Sequence, residues 1–198
     1  MSTLILDPPL TTEATTLPRK RFTRTDVQKM EEAGLFAGQR FELINGDLIN
    51  KMGQNPPHAW AIQLCNVILV TIFGLRVRPQ LPIEAGQNES EISQPEPDLA
   101  ILSKDKPNVA HSVPKGHELT LAIEVADTSL TYDLTGKRDL YARASVPEYW
   151  VLDLNNRRLI THRDLNPTTA TYATILAYND IESITLEGHT IAIASLLS

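Results

Sequence analysis

Acidic side chains seldom enter a hydrophobic run unless something partners their charge. Two do so here. Asp98 opens "PDLAIL" (97–102), and Glu124 interrupts "ELTLAIEVAD" (118–127). Side chains alternate across a strand, which sets Leu119, Leu121, Ile123 and Val125 against Thr120, Ala122, Glu124 and Ala126. The same rule sets Leu99 and Ile101 against Asp98, Ala100 and Leu102. Each acid therefore shares a face with alanine, whose small side chain leaves room above a sheet. Two neighbouring strands presenting carboxylates there would form an anionic pocket, and a divalent cation is one partner for it. The alternative is that each acid separately caps a strand end or pairs with an arginine.

"SLTYDLTGKRDLYARA" (129–144) adds a third element. At 100° per residue, Asp133, Leu134, Lys137, Leu140, Tyr141 and Ala144 fall in one helical stripe, with Arg138, Asp139, Ala142 and Arg143 outside it. Lys137 thus lies on the apolar face. It is either a snorkelling side chain paired with Asp133 one turn earlier, or an ammonium aimed at the carboxylate pocket. Two acids and a lysine over one sheet suit metal-assisted phosphodiester hydrolysis. The carboxylates hold Mg²⁺ (or Mn²⁺), the ion acidifies a bound water and polarises a phosphoryl oxygen, and the ammonium positions the nucleophile or offsets developing charge.

The chain's punctuation predicts the elements that must position these groups. "FTRTDVQKMEEAG" (22–34) has Thr23 as N-cap, Asp26 three residues on, Phe22 placed to staple onto Val27, and Gly34 as a stop, so it predicts a helix. "RFELINGDLINKM" (40–52) predicts a hairpin about Asn45-Gly46, a pair that favours the type I′ turn. "NPPHAWAIQLCNVILVTIFG" (55–74) predicts a second helix capped by Asn55, with prolines in its first turn and Gly74 past its end. Apolar residues on more than one face make it largely buried. Residues 76–86 are expected to be extended, 87–96 a loop, and 103–116 a long surface loop. "PEYWVLDL" (147–154), apolar on both faces, predicts a central strand. "RRLITHRD", "TYATILAY", "ESITLEG" and "HTIAIASLL" predict antiparallel strands with a short terminal helix. The sum is an α/β (α+β) fold, a mixed β-sheet flanked by helices. A flexible tail is expected over residues 1–20 and a single domain over 21–198.

Composition narrows the classes further. A chain of 198 residues with 42% apolar content supports one core without disulfides or structural metal. The single cysteine, Cys65, lies in an apolar segment, which excludes a disulfide framework and suits the cytoplasm. The N-terminus lacks signal-peptide character, and the apolar stretch 61–75, interrupted by Gln63 and Asn66, falls short of the ~20 residues that span a bilayer. No membrane partner is expected. A formal charge of −6 argues against indiscriminate binding to polyanions. The basic clusters Arg19, Lys20, Arg21, Arg24 and Arg157, Arg158, Arg163 are read as solvated surface. There is no phosphate-binding Gly-Lys-Ser/Thr loop, no dinucleotide glycine fingerprint, no His-Glu-x-x-His helix and no nucleophile elbow.

"FELINGDLI", "PPHAWAIQLCNVI", "EPDLAIL" and "LAIEVADTSLTYDLTGKRDLYARASVPEYWVLD", in that order and spacing, resemble the bacterial "putative restriction endonuclease" family, the Uma-type endonucleases of the PD-(D/E)XK nuclease superfamily. The resemblance implies a restriction-endonuclease-like fold and a Mg²⁺-dependent DNA endonuclease. It implies Asp98 and Glu124 as metal-binding acids, Lys137 as the catalytic lysine, and Glu42 as a further acid near the metal. Asp133 and Tyr141 match helix positions of the family, with Asp133 orienting Lys137, and His58 matches a histidine at the start of the second helix. One departure stands out. The superfamily carries its lysine two residues after the second acid, and here that position is Ala126. Two alternatives stay open: a catalytically silent module that binds nucleic acid or protein, and a metal phosphoesterase acting on small nucleotides. A nuclease that cuts both strands would suit a homodimer, with the C-terminal strands as its interface.

Overall fold

Thr23 opens the first helix as its hydroxyl allows: Oγ1 accepts from Asp26 N, Asp26 Oδ2 accepts from Thr23 N, and α1 runs Arg24–Glu32. The structure, a computed structural model, describes residues 19–51, 55–86, 90–106 and 112–197. Of the tail expected over 1–20, residues 1–18 lie outside the described residues, as do 87–89 and 107–111 of the two expected loops. β1 (Phe41–Ile44) and β2 (Asp47–Asn50) form the predicted hairpin. Its turn residues both have positive φ, Asn45 at 51° and Gly46 at 77°, as a type I′ turn requires. A Cβ on Gly46 would also meet Arg21 Cβ at 2.6 Å, so the position demands glycine twice over.

α2 (Pro56–Phe73) starts at Asn55, whose Oδ1 accepts from His58 N, and ends at Gly74. β3 (Val77–Pro79), β4 (Leu99–Leu102), β5 (Leu119–Ala126), β6 (Tyr149–Asp153), β7 (Arg158–Asn166) and β8 (Thr171–Asn179) make one sheet in that order. β5 and β6 pair parallel, and every other neighbouring pair is antiparallel. The parallel step needs a crossover. It is supplied by α3 (Leu130–Tyr132), a π turn over Asp133–Lys137 and α4 (Arg138–Arg143), which run on as one helical segment. β6 is buried at every residue, as its two-faced apolar pattern predicts. β9 (Ser183–Leu186) and β10 (His189–Ala192) form a separate hairpin, and α5 (Ile193–Leu197) is the short terminal helix.

The sheet is therefore covered on both faces. Leu121, Ile123 and Val125 of β5 join Leu99, Ile101 and Trp150 in a core with α2, α5 and the β9–β10 hairpin. Ala100, Ala122, Ala126, Tyr149 and Val151 pack on the other face with Tyr141 and Ala142 of α4. The buried Cys65 belongs to the first core, where burial pushes its thiol up to about 12.

Four expectations are corrected. First, the space does not lie over the alanines: Tyr141 and Ala142 pack there and Ala100, Ala122 and Ala126 are fully buried, while an open cleft lies at Asp98 and Glu124. Second, the facing of Leu119 and Thr120 is reversed. Ile101 pairs with Leu121 but Leu102 pairs with Leu119, so Thr120 is the extra residue of a bulge and the alternation slips by one. Leu119 then packs on the Ala122 side, and Thr120 meets Arg76 and Glu187. Third, Ala142 is buried, because the π turn adds a residue to the helical turn and brings it round to the sheet.

The fourth concerns α2, which buries one face only. Ala61, Ile62, Cys65, Leu69 and Phe73 enter the core, while Trp60 and Val67 remain more than half exposed. With the 3-10 turn that follows, Pro56–Arg76 is long and apolar enough to cross a membrane by length and composition, more than residues 61–75 alone suggested. Its inner face packs against the sheet in the first core.

Arg76, at the end of this turn, ties the layers together. Its guanidinium donates to Leu102 O, Thr120 Oγ1 and both oxygens of Glu187, at 2.7 to 3.1 Å. Just before β5, Gly116 is buried, so the surface loop ends before it. A Cβ there would lie 2.1 Å from Ala144 O and 2.8 Å from Ala144 C. Backbone cannot swing aside as a side-chain tip does. Gly116→Ala is expected to destabilise by about 1 to 3 kcal/mol, read as a lower urea midpoint at unchanged slope. An unshifted midpoint would mean that the two segments part without cost.

Candidate functional site

Six of the seven residues singled out in the sequence line one open cleft of about 880 Å³: Glu42, His58, Asp98, Glu124, Asp133 and Lys137. The seventh, Tyr141, reaches it from below by donating to Glu124 Oε1 at 2.5 Å. The cleft lies where the carboxyl end of β5, the first turn of α2, the β1–β2 hairpin and the π turn converge.

Each side chain is placed by local structure. The hairpin docks along residues 92–96: Gly46 N donates to Ile92 O, Gln94 N to Leu43 O, and Glu96 N to Glu42 Oε1 at 2.8 Å. Ile44 packs with Ala85 and Leu140 beneath it. Glu42 is thereby fixed at the cleft wall. Pro95 and Pro97 flank Glu96, and the residue before a proline is restricted to extended backbone. In an extended run, residues two apart face the same way, and Glu96 and Asp98 both line the cleft. Asp98 Oδ2 accepts from Val125 N at 2.9 Å, continuing the β4–β5 ladder through a side chain, and lies 3.6 Å from His58 Nε2.

Lys137 points inward, as its place in the stripe predicts. Its Nζ donates to Glu124 Oε1 at 2.8 Å and lies 3.1 Å from Glu42 Oε2. The ammonium thus arrives from the crossover helix and not from β5, whose residue 126 is alanine. Asp133, one turn earlier, accepts from Ser129 Oγ at 2.5 Å and acts on Lys137 through charge without a direct bond to it among the described residues.

The electrostatics follow from four carboxyls around one ammonium. Burial alone would pull Lys137 down, but Glu124, Glu42 and Asp133 outweigh it and hold the ammonium well above its usual range. Burial pushes the Glu124 carboxyl well above the carboxylate range, opposed by Lys137 and reinforced by Asp98, Asp133 and Glu42. Asp133 is raised by burial to about 6, against Lys137 and the Ser129 hydroxyl. Asp98 goes the other way: burial would raise it, but His58, the Val125 N–H and the Lys137 charge together hold it below the usual range. His58 is raised, chiefly by its interaction with Asp98.

Among the described residues no group of three or more His, Cys, Asp or Glu side chains closes to metal-binding distance. Glu42 spends both oxygens on protein partners, Glu96 N and Lys137 Nζ. The hydrogen bonds of Asp98 and Glu124 described above fall on Oδ2 and Oε1 respectively.

Sequence reasoning missed Arg40, Lys51, Glu96 and Asp127 of the cleft wall. Asp127 accepts from Asn55 Nδ2, tying the end of β5 to the cap of α2. The Pro-Glu-Pro-Asp run was the available signal for Glu96, since its extended backbone aligns the two acids. The basic clusters near residues 20 and 160 stay apart from the cleft: Arg19 lies against Asp47, Lys20 against Asp26, Arg157 against Asp180, Arg158 against Asp153 and Arg163 against Glu148.

A putative nuclease of the DUF820 group from Anabaena variabilis ATCC 29413 has a similar crystal structure, with a TM-score of 0.61 and 14% identity, covering 79% of this chain and 89% of that one. At that identity the likeness is one of fold. No curated protein matches the sequence. The family described as "Putative restriction endonuclease", Uma2, matches residues 25–193. With that match running from α1 to the start of α5 and taking in every cleft residue named above, the chain belongs to the Uma2 family.

Proposed function

We propose that the protein is a divalent-metal-dependent DNA endonuclease, with Asp98 and Glu124 as metal ligands and Lys137 as the catalytic ammonium. One observation carries this reading: acids from the β4 and β5 edges and a lysine from the crossover helix converge in one cleft, where carboxyls outnumber the ammonium. Buried anions in excess call for a cation. The donor set suits Mg²⁺ or Mn²⁺, because such ions take one or two carboxylates and complete their shell with water and substrate phosphate, so a closed cage of three acids is not needed. Bound there, the ion supplies an acidified water and a polarised phosphoryl oxygen.

The chain's own residues do the rest. Asp98 and Glu124 offer Oδ1 and Oε2, the oxygens not engaged by the bonds described above. Tyr141 and Lys137 both donate to Glu124 Oε1 and so fix the carboxylate's rotation. Lys137, carried on a helix whose Tyr141 and Leu140 are fully buried, is held where an ammonium can offset charge on an attacked phosphate. Glu124, Glu42 and Asp133 keep it protonated. Membership in the Uma2 family and the nuclease fold neighbour support the nuclease class.

The test is cleavage of supercoiled plasmid with Mg²⁺ or Mn²⁺, against a chelator control. Wild type should nick or linearise the DNA only with metal, and Glu124→Gln should lose at least about 100-fold in rate. Equal cutting by the two proteins, or none with either metal, would overturn the proposal; metal-free DNA binding without cutting would leave a silent binding module in its place.

A further inference from the structure

The cleft presents a difficulty for a polyanionic substrate. Its lining includes Glu42, Glu96, Asp98, Glu124, Asp127 and Asp133, and, among the described residues, only three with permanent positive charge, Lys137, Arg40 and Lys51. Lys137 is buried and committed to Glu124 and Glu42. Arg40 and Lys51 are therefore the cations at the mouth. They are neighbours across the open end of the β1–β2 hairpin, where Lys51 N donates to Arg40 O at 2.9 Å.

Both reach for the same carboxylate. Lys51 Nζ donates to Glu96 Oε2 at 2.9 Å and to Glu96 O at 3.2 Å, and Arg40 Nη2 lies 3.2 Å from Glu96 Oε2. Two cations converging on one carboxylate oxygen is the arrangement that a phosphodiester oxygen would also satisfy. The backbone of Glu96 is held independently of them, by the flanking prolines and by the bond from its N–H to Glu42. Only its side chain has to swing aside for its partners to change hands. Arg40 is more than half exposed, so its guanidinium can turn to a ligand from solvent, whereas Lys51 is mostly covered and sets the inner limit of the contact.

We propose that Arg40 and Lys51 form a phosphate-contact site at the mouth of the cleft, and that Glu96 occupies it until a nucleic-acid phosphate displaces it. The inference rests on the nuclease reading for the identity of the ligand as a nucleic-acid strand. It adds where that strand enters, over the open end of the hairpin, and a carboxylate that weakens non-productive binding of other anions. The Glu96 N–H bond to Glu42, and Glu42's contact with Lys137, run from this site to the ammonium in two steps.

The experiment is fluorescence anisotropy with a short labelled DNA duplex and the matching single strand, in chelator, across a salt series. Arg40→Gln/Lys51→Gln should weaken binding about 10-fold or more and lower the slope of log K against log salt by about 1 to 2, since each phosphate contact contributes about 0.9. Glu96→Gln should tighten binding about 3- to 10-fold, by removing the competing charge. A gain of affinity cannot come from misfolding, so this arm stands even if the double variant folds poorly. If wild type binds neither DNA, the nucleic-acid reading and this site fall together. If wild type binds but the double variant binds equally with the same slope, or if Glu96→Gln weakens binding, the phosphate site is overturned and the nuclease reading is untouched.

Discussion

Lys137→Met is expected to lower the unfolding free energy by about 3 to 5 kcal/mol near neutral pH, the loss typical of removing one partner from a buried ion pair. The side chain is buried, and its ammonium is the counter-charge for Glu124 at 2.8 Å and Glu42 at 3.1 Å, with Asp133 close enough to raise its pKa. Methionine fills the volume and leaves those acids facing one another. Acid should narrow the deficit. Asp133 already titrates at about 6 and burial holds Glu124 above the carboxylate range. Without the ammonium both rise further, so the folded variant keeps protons that the unfolded chain has released. Groups whose folded pKa is raised contribute most below the unfolded value and lose that contribution as pH rises through the folded value. The gap to wild type is therefore smallest below the ordinary carboxylate range and largest above the raised values. Urea midpoints at a series of pH values read it directly, and Lys137→Met/Glu124→Gln should recover part of the loss. A variant as stable as wild type at every pH would show that the acids find other partners, and Lys137 would cease to be the hub of the cleft.

How much of this was legible beforehand depends on what each feature needed. The capping box at Thr23, the Asn45-Gly46 turn and the cap at Asn55 are set by neighbours in sequence, and each formed as the chain predicts. The inward stripe of Lys137 and Tyr141 also needed only a helix period. What escaped required a partner strand or a second layer. The bulge at Thr120 exists only relative to β4, so alternation along β5 alone put Leu119 and Thr120 on the wrong faces. The outer face of α2 is apolar and exposed, and periodicity cannot say how many neighbours a helix will have. The π turn shifted the helix phase after Lys137 and buried Ala142. Glu96, Arg40 and Lys51 meet only because the hairpin docks on residues 92–96, a contact between segments 45 to 56 residues apart in sequence and silent in either segment alone. Local chemistry could place the acids on a common face; only tertiary packing could place the hairpin against them.

Asp98→Asn separates structure from chemistry at the other end of the cleft. The asparagine amide keeps an oxygen that can accept the Val125 N–H, now bonded to Asp98 Oδ2 at 2.9 Å, so the β4–β5 edge should survive. What is lost is the charge. On the proposed reading, Mn²⁺ binding measured by calorimetry should weaken at least about 100-fold and plasmid cleavage should fall about 1000-fold, the scale of a removed first ligand in a charge-stabilised site. Asp98→Ala should instead also cost about 1 to 3 kcal/mol of stability, because it leaves the buried Val125 N–H without an acceptor. Acid behaviour gives a readout independent of metal. Burial would raise Asp98, yet His58, the Val125 N–H and Lys137 hold it below the usual carboxylate range. Such a group contributes stability above its unfolded pKa of about 4 and loses it as pH falls through the lowered folded value. Wild type should therefore shed that part of its stability on acidification, while Asp98→Asn, with nothing to titrate, should show a flatter acid limb. If the two acid limbs coincide, His58, the Val125 N–H and Lys137 do not together hold Asp98 below the usual range. If cleavage survives in Asp98→Asn with the fold intact, the metal does not depend on this carboxylate.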